Sequence, residues 1–138
     1  MEVVGSIPTG PTNLSLGEAS CQVYYKAREI ALTNGMRYHI AALLWRGKRL
    51  VYIGKNSYKT HPAFGRTYED GSSAHCMHAE MDAIRFAQPG DRLEIVRFTK
   101  SSDKFFMAKP CKHCMEHILS ANFKSVRYTN KDGQWILL

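Results

Sequence analysis

No stretch of this chain reaches the roughly 18 consecutive apolar residues that a membrane-spanning helix needs, which excludes a helical membrane span. The N-terminus lacks a basic segment followed by an apolar one, the mark of a secretory signal; the expectation is a cytoplasmic protein. There is no internal repeat and no low-complexity segment, which excludes solenoids and fibrous chains. Cysteine is scarce, with four in 138 residues. Two stand in a C-x-x-C pair behind a proline, a spacing that favours metal binding over a disulfide framework. Acidic residues are in short supply too, 12 against 19 lysines and arginines, for a net charge of +7. A basic surface suits an anionic partner, either a nucleotide phosphate or a polynucleotide backbone, although solubility alone also accounts for it.

What is present is enough for one domain: 138 residues, 44% of them hydrophobic. Residues 1–14, broken by Pro8, Gly10 and Pro11, read as an irregular tail before a single domain over 15–138. A helix is predicted over 15–33, with Val23, Ala27, Ile30 and Ala31 at helical spacing and Asn34-Gly35 as its stop. A hairpin follows, with strands over 38–45 and 50–53. The first is apolar on both faces, which predicts a sheet covered above and below. Residues 56–75 form a long polar connection of the kind usually kept for function. A helix over 77–87, a strand over 93–99, a loop over 100–109 and a helix over 111–121 come next. The last helix is expected to turn Met115, Ile118 and Leu119 inward. Strands over 125–129 and 134–138, joined by a short turn, close the chain. The order implies a layered α/β domain.

Two short segments hold the chemistry, Met77-His78-Ala79-Glu80 and Pro110-Cys111-Lys112-His113-Cys114. His78, Cys111 and Cys114 supply three donors of the kinds zinc prefers. Catalytic zinc sites keep the fourth position for water, whereas structural ones close it. Cys111 and Cys114, three apart, share one face of a helix. His78 and Glu80 are two apart, so they serve one pocket only at a helix start, where Ala79 also has a free backbone N–H. Glu80 is then placed to move protons. A structural site closed by His75, Cys76, His113 or His117 is the plain alternative, and it leaves Glu80 unexplained.

These residues, with the Glu80–Ile84 run and Gly54-Lys55-Asn56, resemble the cytidine deaminase-like superfamily over roughly residues 17 to 138. The resemblance implies a three-layer α/β/α fold with a central mixed sheet of about five strands. The turn over 130–133 is too short for a crossover helix, so the chain is similar to the members that end in a C-terminal β-hairpin. Also implied are bound Zn2+ held by His78, Cys111 and Cys114, and Glu80 as the catalytic proton carrier. The backbone at Ala79 and at the Pro110–Cys111 step would orient the base, and Asn56 would contact the sugar. Self-association into a homo-oligomer is a further expectation from the resemblance.

The resemblance makes cytosine the default base, with adenine and guanine sharing the same metal motif. Asn56 is followed by Ser57 and Tyr58 rather than by the glutamate that free-nucleoside deaminases tend to carry, which counts against a nucleoside. The expectation is a zinc-dependent deaminase of dCMP-, CMP- or cytidine-type substrates, with the nucleotide favoured. A deaminase acting on single-stranded DNA or RNA is the alternative. Basic and aromatic residues interleave in Tyr58, Lys59, Phe64, Arg66 and Tyr68 and again in Lys100, Lys104, Phe105, Phe106, Lys109 and Lys112, as a single-strand binder requires. A zinc-stabilised module without turnover is the third reading. His61 and His75 are candidates for a second metal but read better as surface histidines, and Tyr128 and Trp135 read as core.

Overall fold

The computed structural model describes residues 3–6, 15–60, 66–67, 73–74 and 76–138. In chain order the elements are β1 (Val3–Ser6), α1 (Ser15–Leu32), β2 (His39–Arg46), β3 (Arg49–Lys55), β4 (Ser57–Thr60), β5 (Arg66–Thr67), β6 (Ser73–Ala74), β7 (Cys76–Met77), α2 (Ala79–Ile84), β8 (Arg92–Thr99), β9 (Ser102–Phe106), α3 (Lys112–Ser120), β10 (Ser125–Thr129) and β11 (Gln134–Leu137). The main sheet runs β1-β11-β10-β8-β2-β3, with β9 also paired to β8. β2 is antiparallel to both β3 and β8, and β10 is parallel to β8. Hence β3, β8 and β10 all point the same way.

Alternation along the central strands builds two cores. Ala42 and Leu44 of β2, with Leu93 and Ile95 of β8, pack against Ala79 and Ala83 of α2 and Ile118 of α3. Their neighbours Ala41, Leu43, Val96 and Phe98 face the other way, onto Tyr24, Ala27 and Ala31 of α1. These are the three layers expected from a strand apolar on both faces. One carboxylate enters the α1 face. Glu94 accepts hydrogen bonds from Tyr24 Oη at 2.9 Å and Trp45 Nε1 at 2.6 Å, and pairs with Arg127. Burial together with the Glu94 charge raises the Tyr24 pKa and keeps its hydroxyl protonated.

The main sheet is mixed, as expected, and holds the five expected strands together with β1 and β9. The structure departs from the sequence reading at four places. Residues 3–6 of the supposed tail form β1, which pairs antiparallel with β11; residues 1–2 and 7–14 lie outside the described residues. The stretch expected as a loop over 100–109 contains β9. It takes the edge of β8 that β10 leaves open, since β10 pairs with Arg92–Ile95 and β9 with Arg97 and Thr99. Leu119, expected inward, is 71% exposed, because α3 turns Cys114 and Ile118 to the core instead. α2 is also shorter than expected, ending at Ile84, after which Phe86 and Ala87 bond back three residues in a tighter turn. The C-terminal hairpin is present as β10 and β11, antiparallel across the turn at Asn130–Gly133.

Two contacts seat α2 on the sheet. A Cβ at Gly54 would lie 2.5 Å from the Ala79 carbonyl oxygen and 2.9 Å from the Ala83 nitrogen. Only a residue without a side chain lets α2 rest this close to β3. Asp82 then accepts hydrogen bonds from the Lys55 amide at 3.1 Å and the Tyr52 hydroxyl, and pairs with Arg85. No described helix is long and apolar enough to cross a membrane.

Two predictions follow from this packing. Gly54→Ala forces backbone apart at the root of α2, at a cost of about 1–3 kcal/mol as for other overpacked cores. Urea denaturation checks it, and an unchanged midpoint contradicts it. The second concerns Asp91, which is 2% exposed. It accepts two bonds of 2.9 Å from the Arg46 guanidinium and one of 2.8 Å from the Gln88 amide. The Arg46 contact holds its pKa below the ordinary aspartate value. A depressed carboxylate stabilises the fold fully above that ordinary value and loses its contribution as pH falls through the lowered one. Stability of the wild type therefore drops more steeply below about pH 4 than that of Arg46→Ala. Denaturation midpoints measured across that range read this out, and parallel curves contradict it.

Candidate active site

A cavity of about 440 Å³ opens where β3 and β8 end and α2 and α3 begin. Asn56 follows β3, Arg97 lies near the end of β8, and His78, Ala79, Glu80 and Cys111 come from the two helix starts. Crevices at the carboxyl ends of strands are the usual ligand sites of open α/β sheets.

Both motifs cap helices. His78 is the N-cap residue of α2 (φ −80°, ψ 156°) and Cys111 that of α3 (φ −71°, ψ 166°). Their carbonyls accept the first intrahelical bonds, from Asp82 N at 3.0 Å and Met115 N at 2.9 Å. The Cys111 sulfur accepts from the Cys114 amide at 3.5 Å, as N-cap side chains do. Two helix N-termini therefore meet at one place, and their partial positive charge favours thiolate. The Cys111 thiol is pushed down to about 3, chiefly by its hydrogen bonds with the Cys114 and His78 side chains.

The donor atoms fit zinc. His78 Nδ1 lies 3.1 Å from Cys114 Sγ and 3.8 Å from Cys111 Sγ, and the three donors fall within 4.8 Å of one another. Tetrahedral zinc with Zn–N of about 2.0 Å and Zn–S of about 2.3 Å needs nitrogen and sulfur about 3.5 Å apart. Neither sulfur is in a disulfide. Among the described residues no fourth histidine, cysteine or carboxylate joins the group. Of the side chains considered for closing it, His113 and His117 contact each other instead, with ring centroids 5.1 Å apart. His75 and the Cys76 side chain lie outside the described residues.

Glu80 is buried, 4% exposed, in the cavity wall beside this cluster. Burial raises its pKa, and its own backbone N–H and the His78 ring oppose the rise. A carboxyl pushed toward neutrality is suited to take up and release protons.

Asn56 is in the cavity wall and is also a brace. Its Oδ1 accepts from the Ile40 amide at 2.9 Å and from Asn34 Nδ2 at 2.8 Å. Its Nδ2 donates to the Tyr38 carbonyl at 2.9 Å and has only the Met36 sulfur, at 3.6 Å, as a second neighbour. The weak thioether contact marks the N–H available to a ligand. Ala79 lines the cavity; Pro110 is buried and does not.

Other expectations fare unevenly. Phe105, one of the aromatics in the second interleaved stretch, is 5% exposed and packs edge-on to Phe98 in the α1 core. Lys109 lines the cavity, while Lys100, Lys104 and Lys112 are exposed on the surface. Tyr128 and Trp135 are core, as expected. His61 and the side chains of Tyr58, Lys59, Phe64, Arg66 and Tyr68 lie outside the described residues. The sequence reading missed Tyr38 and Arg97, both in the cavity wall. Arg97 had a signal, as a charge between the apolar Val96 and Phe98 in a central strand.

The fold and site can be set beside known proteins. The dCMP deaminase of the cyanophage S-TIM5, in complex with dCMP and dUMP, is 21% identical; the match covers 86% of this chain and 85% of that one with a TM-score of 0.54. The apo form of that enzyme matches at 19% identity, over 82% and 84% of the two chains, with a TM-score of 0.51. At this identity the likeness shows the fold. No curated protein matches the chain. Residues 17–130 match the family model of the cytidine and deoxycytidylate deaminase zinc-binding region, a span that includes every residue of the metal cluster and Glu80. With that span and the donor cluster in agreement, the chain belongs to the cytidine and deoxycytidylate deaminase zinc-binding family.

Proposed function

We propose that this protein is a hydrolytic deaminase that converts cytosine to uracil in a free pyrimidine nucleotide, with His78, Cys111 and Cys114 holding its zinc. The observation that carries the reading is Glu80, a buried carboxyl in the wall of a cavity that His78 and Cys111 also line, with Cys114 buried beside them. A structural zinc site or an inert module has no use for a carboxyl that burial drives toward neutrality.

Bound zinc supplies a Lewis acid that lets water give up a proton near neutral pH. The protein does the rest. Glu80 takes the proton of the attacking water as its oxygen bonds to the amine-bearing ring carbon. The same carboxyl passes that proton to the adjacent ring nitrogen. The proton of the newly attached hydroxyl then passes through Glu80 to the amine, the C–N bond breaks, ammonia leaves and a carbonyl remains. The backbone at the start of α2, at Ala79, and at the Pro110–Cys111 step orients the base. Asn56 offers its weakly held N–H to a sugar hydroxyl.

A free nucleotide is favoured over a polymer by the burial of Phe105, which removes a ring the single-strand reading needs. The S-TIM5 enzyme, captured with dCMP and dUMP, has the same fold and supports a nucleotide substrate.

Two measurements check the proposal. Glu80→Gln retains zinc at the wild-type stoichiometry by elemental analysis and loses turnover about 10²–10⁴-fold, the usual worth of a positioned proton carrier. Loss of zinc together with activity would instead make Glu80 a ligand. Ammonia release is expected from dCMP, with little change as salt rises. Release from single-stranded DNA alone, falling steeply with salt, would move the substrate to a polymer. Release from neither, with zinc bound, would leave a module without turnover.

A further inference from the structure

Arg97 is a charged group in the cavity wall that the deamination chemistry does not use. It stands on β8 between Val96 and Phe98, which face α1. Its side chain therefore belongs to the opposite face, with Leu93, Ile95 and the two catalytic helices. Three other partly buried arginines each meet an acid: Arg46 meets Asp91, Arg85 meets Asp82 and Arg127 meets Glu94. Arg97 forms no such pair among the described residues. Its Nε is buried without a hydrogen-bond partner. What it has is the ring of Tyr38, with the guanidinium carbon 4.7 Å from the ring centroid. Arg37 lies 5.7 Å from the same ring. One tyrosine thus gathers two guanidiniums, and Lys109 joins Arg97 as a second cation in the cavity wall. Among the described residues the only acid in that wall is Glu80.

A buried guanidinium N–H without an acceptor is costly. Here the cavity supplies the opening through which an acceptor can come from outside. Its chemistry is that of an anion, and the planar fork of an arginine matches phosphate. The location narrows the choice. Arg97 is paired across the sheet with Ile40, whose amide donates to Asn56. The carbonyl of Tyr38 accepts from Asn56 as well. Arg97 and Asn56 are thus braced by the same segment, 38–40. In a nucleotide the sugar lies between the base and the 5′-phosphate. With the base at Glu80 and the sugar at Asn56, the phosphate is what remains for the neighbouring cation.

We propose that Arg97, backed by the Tyr38 ring, receives the 5′-phosphate of the substrate and so sets a preference for the nucleoside monophosphate over the nucleoside. The inference rests on the deaminase reading above for the placement of base and sugar. Its test is built to fail separately. Steady-state kinetics on dCMP and deoxycytidine compare the wild type with Arg97→Gln and Arg97→Lys. The preference for dCMP, as a ratio of kcat/KM values, falls about 10- to 100-fold in Arg97→Gln, mainly through KM, as expected for loss of a charge-assisted bond. Arg97→Lys keeps part of it, since charge remains while the fork is lost. Calorimetric binding of dUMP and deoxyuridine, with no turnover involved, gives the second reading. dUMP binding weakens by a similar factor in Arg97→Gln. If the wild type deaminates neither compound but loses dUMP affinity with Arg97, the deaminase reading falls and the phosphate site stands. Loss of both substrates by one common factor, or dUMP binding that is absent or indifferent to Arg97, overturns the proposal. So does a loss confined to single-stranded oligonucleotides, which would assign the cation to a polymer backbone.

Discussion

Three donor atoms within 4.8 Å of one another have to be delivered by two helices that begin 33 residues apart in the chain, at His78 and Cys111. That convergence is the constraint on which the remaining structure depends. Each donor segment sits at an N-cap, where the backbone has not yet entered the helix and its side chain can turn across the axis toward the other helix. Both helices rest on one face of the sheet, at the end where β3, β8 and β10 finish. Gly54 sets how close α2 lies to β3, and Asp82 ties α2 to the Lys55 amide. The G-x-N segment therefore has two uses in one turn of chain: glycine admits the helix, and asparagine braces the cavity wall.

Electrostatics follow from this placement. Helix N-termini, a histidine and a second cysteine surround Cys111, and its thiol falls to about 3. Glu80, two residues past the His78 cap and buried in the same cavity wall, moves the other way because burial outweighs its stabilising contacts. The same framework thus produces a thiolate ready for a metal and a carboxyl ready to exchange protons. Their pKa values move in opposite directions for reasons of position alone.

The site was more legible in the sequence than the sheet. His78 and Glu80 are two apart, a spacing that makes sense only at a helix start, and the C-x-x-C behind a proline states its own geometry; both appear in the fold as N-caps. The hairpin of β2 and β3 was legible from a strand apolar on both faces. Strands β1 and β9 were not, because each earns its place by pairing with a distant strand edge rather than by its own pattern. Val3–Ser6 is short and lies against β11 at the far end of the chain. Ser102–Phe106 is half polar, and only its pairing with Arg97 and Thr99 makes it a strand. Leu119 misled because α3 is narrow in its burial, with Cys114 and Ile118 taking the inward positions four apart. Phe105 was placed with the interleaved basic and aromatic residues because a loop was expected there; once β9 forms, its side chain enters the core beside Tyr24 and Phe98. Arg97 was overlooked because its charge between Val96 and Phe98, a signal of something unusual, does not say which cavity it meets.

The central claim is a cation held by one imidazole and two thiolates with a coordination position left over for the reaction. X-ray absorption at the zinc edge of the purified, zinc-loaded protein tests it most directly. The account predicts two sulfur neighbours at about 2.3 Å and two lighter neighbours at about 2.0 Å, one of them an imidazole nitrogen. A shell of three or four sulfurs, two imidazoles, or no sulfur at all would contradict it.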